Sequence, residues 1–551
     1  MNDEPDEAAA LYGEGRYGEA EAVLRARLRA SPTDSKAQRG LGRLLLLQGK
    51  TPDPPDAASA VAQAKALVAA LGPPGAQGRD EGARLQRAAD VLLRFSPTFP
   101  EANRVDAARI LWQAGLYAEA EEVGEVATLG RLAASQGDPL ALLRLAARTS
   151  GPTGRAEVMA WHRLWASGLA ARAAADPLPP HRRGDARPRL RLGFLSSDLR
   201  AHVVGYFAQP LFQFLDPRFE LYVYSSFPGP ADPVQHWFAS RSTAFRQLPA
   251  DERAAAVQIA ADDLDMLIEI GGPTSHNRPG VLAFRPAPLQ ASWLGYPMSL
   301  GLDEIDYLIC DAQMLGPSPA PLVEAPLVMP RTSLVMAPAA FQELPAVAPE
   351  PPVMRNGYVT FGTANDPYKF SPDVLQAWAR IVAASPGARF MIARPEAGAP
   401  CFQQGVIDHF AAHGVGADRL DFHALRGAVR PLYGQMDIAL DTFPITGGTT
   451  TCEALWMGVP TITLAGEAIY ERLSAAILTN AGLGELVASS LADYARIAAD
   501  WAAAPERLAA FRSGVRDRVR SHPIGDPAAF AADVYAEIAS VIARRERPTS
   551  A

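Results

Sequence analysis

Two successive series of short apolar runs, separated by helix-length stretches, constrain this chain more than any other feature. The first series reads Leu190–Leu195 (LRLGFL), Phe219–Tyr224 (FELYVY) and Met266–Ile270 (MLIEI). The second reads Tyr358–Phe361 (YVTF), Arg389–Ile392 (RFMI), Asp437–Leu440 (DIAL) and Thr461–Leu464 (TITL). Such alternation predicts a parallel sheet with helices on both faces, twice over. Pro-rich breaks precede each series, at Asp176–Pro188 (DPLPPHRRGDARP) and Pro338–Pro352 (PAAFQELPAVAPEPP). The expectation is two doubly wound lobes with a cleft between them, where ligands sit beyond the carboxyl ends of strands. The expected boundaries are 1–150 for a helical region, 151–188 for a helical connection and linker, 189–345 for the first lobe and 346–551 for the second.

Up to about residue 150 the pattern is helical, with apolar residues at three- and four-residue spacing and almost no strand signal. Gly15-Arg-Tyr-Gly-Glu-Ala20 is followed by Ser31-Pro32-Thr33, and Gly115-Leu-Tyr-Ala-Glu-Ala120 is preceded by Ser96-Pro97-Thr98. Gly49 lies 34 residues after Gly15, and Gly115 a further 66 after Gly49. A period near 34, with Gly before an aromatic and Ala where helices cross, resembles tetratricopeptide (TPR) repeats. Small residues let paired helices approach and Pro closes each unit. A plain helical bundle is the simpler alternative. The Pro/Gly-rich residues 51–80 interrupt one unit.

Composition removes several classes. With 551 residues, 48% hydrophobic and 20% charged, the chain is a folded protein of several domains and not a disordered one. A net charge of −8 leaves no excess of Lys and Arg to neutralise a nucleic acid. Cys310, Cys401 and Cys452 are far apart and make neither a disulfide framework nor a zinc site. The acidic start MNDEPDEAAA lacks the apolar core of a signal peptide, and no apolar run approaches the roughly 20 residues of a membrane span. The expected location is the cytoplasm, with no nucleic-acid or membrane partner.

Three stretches carry chemistry. In Leu440–Thr463 (LDTFPITGGTTTCEALWMGVPTIT), an apolar strand runs into Gly447-Gly448 and a helix starts at Thr449. Such a turn exposes backbone N–H groups and the positive end of a helix dipole, while glycines admit a phosphate closely and Thr449 and Thr450 add hydroxyls. An ordinary Thr-capped helix gives the same local pattern, so other segments must decide. Thr360–Pro372 (TFGTANDPYKFSP) follows the second lobe's first strand and offers Lys369 as a point charge for a phosphate. Ser371-Pro372 opens the helix after it. Ser196–His202 (SSDLRAH) follows the first lobe's first strand, and His202 can meet a substrate hydroxyl there. Asp263-Leu264-Asp265 has the form of a metal-binding pair but precedes its strand. It is read as a turn, and no metal is expected.

The chain resembles glycosyltransferase family 41, the group of protein O-GlcNAc transferases and SPINDLY proteins. The resemblance rests on Arg191–His202 (RLGFLSSDLRAH), Phe284–Pro297 (FRPAPLQASWLGYP), Tyr358–Trp378 (YVTFGTANDPYKFSPDVLQAW) and Leu440–Pro460 (LDTFPITGGTTTCEALWMGVP), in family order behind helical repeats. It implies an inverting, metal-independent enzyme of the two-lobed GT-B fold that moves a sugar, by default GlcNAc from UDP-GlcNAc, to Ser or Thr of an acceptor protein bound by the TPR-like repeats. It further implies that Lys369 contacts the donor pyrophosphate, that Gly447, Gly448, Thr449 and Thr450 hold phosphate, and that Glu453 lies near the ribose. His202 falls beside sugar and acceptor, on the side of Tyr296 and Pro297. Departures concern the donor's identity: Gly447-Gly448 where the transferases read Gly-His, Gly271-Gly272-Pro273-Thr274, Met298-Ser299-Leu300-Gly301, and Val429 in place of a histidine. Two alternatives therefore stand beside the default. One is transfer of another activated sugar, fucose or a nonulosonic acid, to a protein such as flagellin. The other is a non-catalytic repeat scaffold with decayed lobes.

Overall fold

The structure, a computed structural model, describes residues 8, 11, 16–30, 44–45, 54–69, 79–181, 187–336, 347–425 and 430–546. The landmarks Gly15, Ser31-Pro32-Thr33, Gly49 and Val429 lie outside the described residues, as do parts of both Pro-rich breaks. The chain forms two compact units, residues 1–132 with 352–437 and residues 133–351 with 438–551.

In the first unit, helices Arg79–Leu93, Glu101–Gln113 and Tyr117–Val123 follow one another through tight turns. Thr98 N–H donates to the Phe95 carbonyl at 2.8 Å, closing the turn at Ser96-Pro97-Thr98. Gly115 adopts a φ of +78°, a conformation that favours glycine, just before the Tyr117 helix. Ala88, Ala89, Val105, Ala108 and Leu111 are buried on the facing sides, and the arrangement fits TPR-like repeats.

These helices pack onto a segment more than 270 residues later in sequence, Pro395–Ala411. Two glycines make the approach possible. A Cβ on Gly82 would lie 2.2 Å from the Gly398 backbone, and one on Gly405 would lie 2.2 Å from the Gly115 carbonyl oxygen. Gln86 Oε1 accepts from Cys401 N–H at 2.7 Å, and Gln113 Nε2 donates to Glu396 at 3.1 Å.

Strands β8 (Thr360–Thr363), β9 (Arg389–Ala393) and β10 (Leu420–His423) of this unit run parallel. Between β8 and β9, Ser371 caps helix Pro372–Ala384, accepting from Val374 N–H at 3.2 Å with Pro372 in the first turn. That helix buries Val374, Leu375, Trp378 and Val382, with Trp378 stacked on Phe390 of β9.

In the second unit a seven-stranded sheet has the order β3-β2-β1-β4-β5-β6-β7. Its strands are β1 (Leu190–Ser196), β2 (Phe219–Ser225), β3 (Ala244–Gln247), β4 (Met266–Glu269), β5 (Gln290–Ser292), β6 (Tyr307–Asp311) and β7 (Ala325–Met329). The paired strands are parallel; β1 meets β2 with Phe194 beside Val223 and meets β4 with Phe194 beside Ile268. The unit also holds β11 (Ile438–Leu440), β12 (Thr461–Leu464) and β13 (Val487–Ala488). Within the first unit β10, β9 and β8 lie side by side, and within the second β11, β12 and β13 do, all parallel, so each lobe is a parallel, Rossmann-like sheet.

The last helix, Pro527–Glu546, returns to the first sheet: Phe530, Val534, Tyr535 and Ile538 join Leu192, Phe219, Leu221 and Phe212 in one buried cluster. The Tyr535 hydroxyl donates to the Leu211 carbonyl at 2.6 Å. Because Ile538 is fully buried there, Ile538→Ala removes contacts and leaves a void. Urea denaturation should show a loss of about 2–5 kcal/mol, the range for such truncations. A loss below about 0.5 kcal/mol would mean that this helix is not part of the first lobe's core.

Candidate functional site

The turn after β11 is built around Asp441. This buried carboxylate accepts from Thr442 N–H and Gly447 N–H, both at 2.9 Å, and from the Thr463 hydroxyl of β12 at 2.7 Å. A Cβ on Gly447 would lie 2.6 Å from the Thr451 hydroxyl and 2.7 Å from that of Thr450, so only glycine fits. Gly448, which has no side chain, stands at the N-cap of helix Thr449–Trp456 and so makes no cap hydrogen bond of its own. Thr451 turns inward to the Ser474 hydroxyl at 2.7 Å, and Ser474 donates to the Gly447 carbonyl at 2.9 Å. Thr449, Thr450 and Glu453 stay partly exposed, while Thr451 and Cys452 are buried. Burial pushes the Cys452 thiol up, so it offers no thiolate. The result is a helix N-terminus whose N-cap residue is a glycine, flanked by hydroxyls, an arrangement suited to an anion.

Lys369 lies in the other compact unit, beyond the carboxyl end of β8. Asp366 opens its short turn by accepting from Tyr368 N–H at 3.2 Å, and Arg394 engages the other oxygen of Asp366 at 3.1 Å. Lys369 Nζ donates to Asn365 Oδ1 at 3.3 Å. The ammonium is thus held by a neutral carboxamide, while the adjacent carboxylate is occupied by an arginine.

At the first sheet, the carboxyl ends of β1 and β4 are tied by Asn277. Its Oδ1 accepts from Ser197 N–H at 2.6 Å and its Nδ2 donates to Asp198 at 2.7 Å. Ser197 Oγ donates to the other oxygen of Asp198 at 2.9 Å. His202 caps helix Val203–Gln213, its Nδ1 accepting from Val204 N–H at 3.3 Å. The neutral ring therefore carries its proton on Nε2. Burial lowers the imidazole pKa; Asp198, whose Oδ1 is 3.8 Å from Nδ1, pulls it up and Arg200 pushes it further down. His202 presents an N–H donor near neutral pH.

Glu269 ends β4 fully buried, with Oε1 accepting from Gly271 N–H at 2.8 Å and Gly272 N–H at 2.7 Å. Desolvation pushes its pKa up to about 8 against those two bonds. Asp198, Asn277 and Glu269 were not singled out from sequence as site residues. Asp198 and Glu269 carry a signal in their position at the ends of apolar strands, whereas Asn277, well beyond β4, carries none.

Tyr296 and Pro297 follow β5. Tyr296 is buried, over Gly272, where a Cβ would lie 2.2 Å from its own. Its hydroxyl lies 2.6 Å from His162 Nε2, on helix Gly151–Ala175, while His162 Nδ1 faces the Val158 carbonyl at 2.7 Å. The carbonyl fixes the proton on Nδ1, so the tyrosine donates to Nε2. Pro297 is partly buried beside it. Asp263 and Asp265 stand before β4: Arg187 lies 3.2 Å from Asp263 and 3.3 Å from Asp265, which also accepts from Arg191 N–H at 2.7 Å. No group of three or more candidate metal ligands occurs among the described residues, and no helix among them is long and apolar enough to cross a membrane.

Complete burial lowers the His162 pKa to about 4 from its ordinary 6.5. The unfolded chain then binds more protons between these values, so stability is full above pH 6.5 and falls as pH drops towards 4. Relative to His162→Gln, which cannot titrate, wild type should lose about 3 kcal/mol over that interval, at 1.36 kcal/mol per unit. Denaturant midpoints of both proteins at several pH values measure it. Parallel curves would show that His162 is not buried neutral.

Comparison with known proteins gives these features a context. The model of "Glycosyl transferase family 41" matches residues 178–325 and 352–534. SPINDLY of Arabidopsis thaliana, described as a probable UDP-N-acetylglucosamine–peptide N-acetylglucosaminyltransferase, is 33% identical over 352 residues, 62% of this chain and 38% of its own length. The rice counterpart (Oryza sativa subsp. japonica) is 35% identical over 347 residues, 61% of this chain and 37% of its own length. The chain thus aligns with under two-fifths of the length of these relatives. Among solved structures, a lysine-to-methionine mutant of Thermobaculum terrenum O-GlcNAc transferase superposes with a TM-score of 0.73 at 25% identity, covering 98% of this chain and 97% of that one. Behind a helical N-terminal region, the two Rossmann-like lobes are therefore those of the GT-B fold, and the chain belongs to glycosyltransferase family 41.

Proposed function

We propose that this protein transfers a sugar from a nucleotide-sugar donor, by default UDP-GlcNAc, to a serine or threonine hydroxyl of an acceptor protein, with inversion and without a metal. The observation that carries the reading is the helix N-terminus at Thr449 without a side-chain cap, held open by Asp441 and Gly447. It is a ready receptor for a diphosphate. The relatives' names supply the sugar and the peptide acceptor.

In this reading the acceptor oxygen attacks the anomeric carbon and the nucleoside diphosphate departs from the opposite face. Negative charge grows on the leaving oxygens, and Lys369 with the Thr449 helix terminus stabilises that charge more than it stabilises the ground state. His202 donates Nε2–H to an oxygen of the sugar or acceptor. Its Nδ1 is occupied by Val204 N–H and is not the base. Glu453, one helical turn beyond Thr449, reaches towards the ribose, and Tyr296-Pro297 set the acceptor-side loop. The repeat helices select the acceptor protein. A scaffold with decayed lobes has no need for a glycine at 447 or an uncapped helix at 449.

Thermal-shift measurements with UDP, GDP and CMP name the base of the donor, because only a bound nucleotide stabilises the fold. UDP should raise Tm most. Lys369→Met keeps the apolar stem and removes the charge, so kcat should fall about 100- to 1,000-fold with Tm nearly unchanged. Lys369→Arg should rescue poorly, since a planar fork does not replace a compact ammonium. Stabilisation by none of the three nucleotides, or a folded Lys369→Met enzyme with normal turnover, contradicts the proposal.

A further inference from the structure

Beyond the carboxyl ends of β2 and β3 lies a cavity of about 610 Å³, a volume typical of ligand sites, which none of the roles above uses. Two polar side chains on its wall are buried, each with one atom that has no hydrogen-bond partner among the described residues. Ser226 is 2% exposed and its Oγ is unpaired; Gln235 is 6% exposed and its Oε1 is unpaired. Gln235 Nε2 is turned to Ser225 Oγ at 3.4 Å, so the orphan on Gln235 is an acceptor that requires a donor. Buried polar atoms left without partners are costly, and a bound group is one way to satisfy them. Arg278 also lines the cavity, bonded through one N–H to the Pro249 carbonyl, and no carboxylate lines it.

The cavity is attached to the turn that carries His202. Ala201 N–H donates at 2.8 Å to Asp232, whose other oxygen caps the helix bearing Gln235. Arg200 stacks 4.3 Å over the ring of Phe227, on the cavity wall. A group seated here lies against elements that are bonded in turn to the short segment presenting His202.

We propose that this cavity is a subsite for the acceptor polypeptide, binding a stretch that flanks the modified residue and bears an aspartate or glutamate. A peptide unit supplies both missing partners, its N–H to Gln235 Oε1 and its C=O to the Ser226 hydroxyl, and the acidic side chain pairs with Arg278. A phosphate-rich ligand fits less well, because a single arginine faces the space. This assignment rests on the acceptor being a protein.

The test uses full-length protein and two labelled nine-residue peptide pools centred on serine, one with Asp/Glu and one with Asn/Gln at the flanking positions, with binding read by fluorescence anisotropy. The acidic pool should bind about tenfold tighter, as expected for a charge-assisted pair, and Arg278→Gln should erase the difference. Ser226→Ala and Gln235→Met should weaken both pools several-fold without lowering Tm, which a merely structural residue would not do. Equal affinity for the two pools, or variants that bind as wild type because the cavity holds only water, overturns the subsite. UDP-induced stabilisation should be unchanged in all three variants, and its loss there would also overturn it. Absence of nucleotide stabilisation in wild type would instead strike the transferase reading, while the anisotropy result would still decide the subsite.

Discussion

A single buried carboxylate organises the turn between β11 and helix Thr449–Trp456. Asp441 takes two backbone N–H groups from the turn and a hydroxyl from β12. Its own carbonyl accepts from the Tyr494 hydroxyl at 2.9 Å. Without these bonds the Gly447-Gly448 turn has no reason to hold an uncapped helix terminus, because a capping side chain would ordinarily supply the missing acceptor. Glycine at the N-cap in place of Ser, Thr, Asn or Asp is destabilising by only about a few tenths of a kcal/mol. Local features that lower stability are expected where an anion is to be received.

The loops beyond β1 and β4 are organised on the same principle, with polar groups spent on one another to fix a backbone. Asn277 and Asp198 close the ends of β1 and β4, and Glu269 folds the Gly271-Gly272 turn beneath Tyr296. Helix Gly151–Ala175 braces this side through His162 and Tyr296. It also reaches the loop after β12, where Arg155 bonds Glu471 at 2.9 Å and Glu467 at 2.6 Å. One helix thus touches both the loop after β5 and the loop after β12.

Much of this architecture was legible in the residues. The apolar runs at β1, β2, β4, β8, β9, β11 and β12 are rich in aromatic and branched side chains bounded by turn residues, a pattern few other structures produce. Three of the remaining strands were hidden for physical reasons. β5 is only Gln290–Ser292, β13 only Val487–Ala488, and β3 (Ala244–Gln247) is a partly exposed edge with arginine and glutamine in it. Ser371 and Pro372 announced their helix locally, through cap and first-turn chemistry. Contacts between distant segments could not be read that way. Asn277 meets Asp198 across 79 residues, and Tyr296 meets His162 across 134. Likewise Gly82 and Gly115 mark close approaches to Gly398 and Gly405, which periodicity cannot reveal.

The central claim is that a nucleotide diphosphate rests on the helix terminus at Thr449. Hydrogen exchange of backbone amides, compared with and without saturating nucleotide, tests it where the bonds would form. The account predicts that protection rises at residues 448–451 and around Lys369, with little change at β3 or the last helix. Nucleotide binding that leaves the amides of residues 448–451 exchanging as before would contradict it.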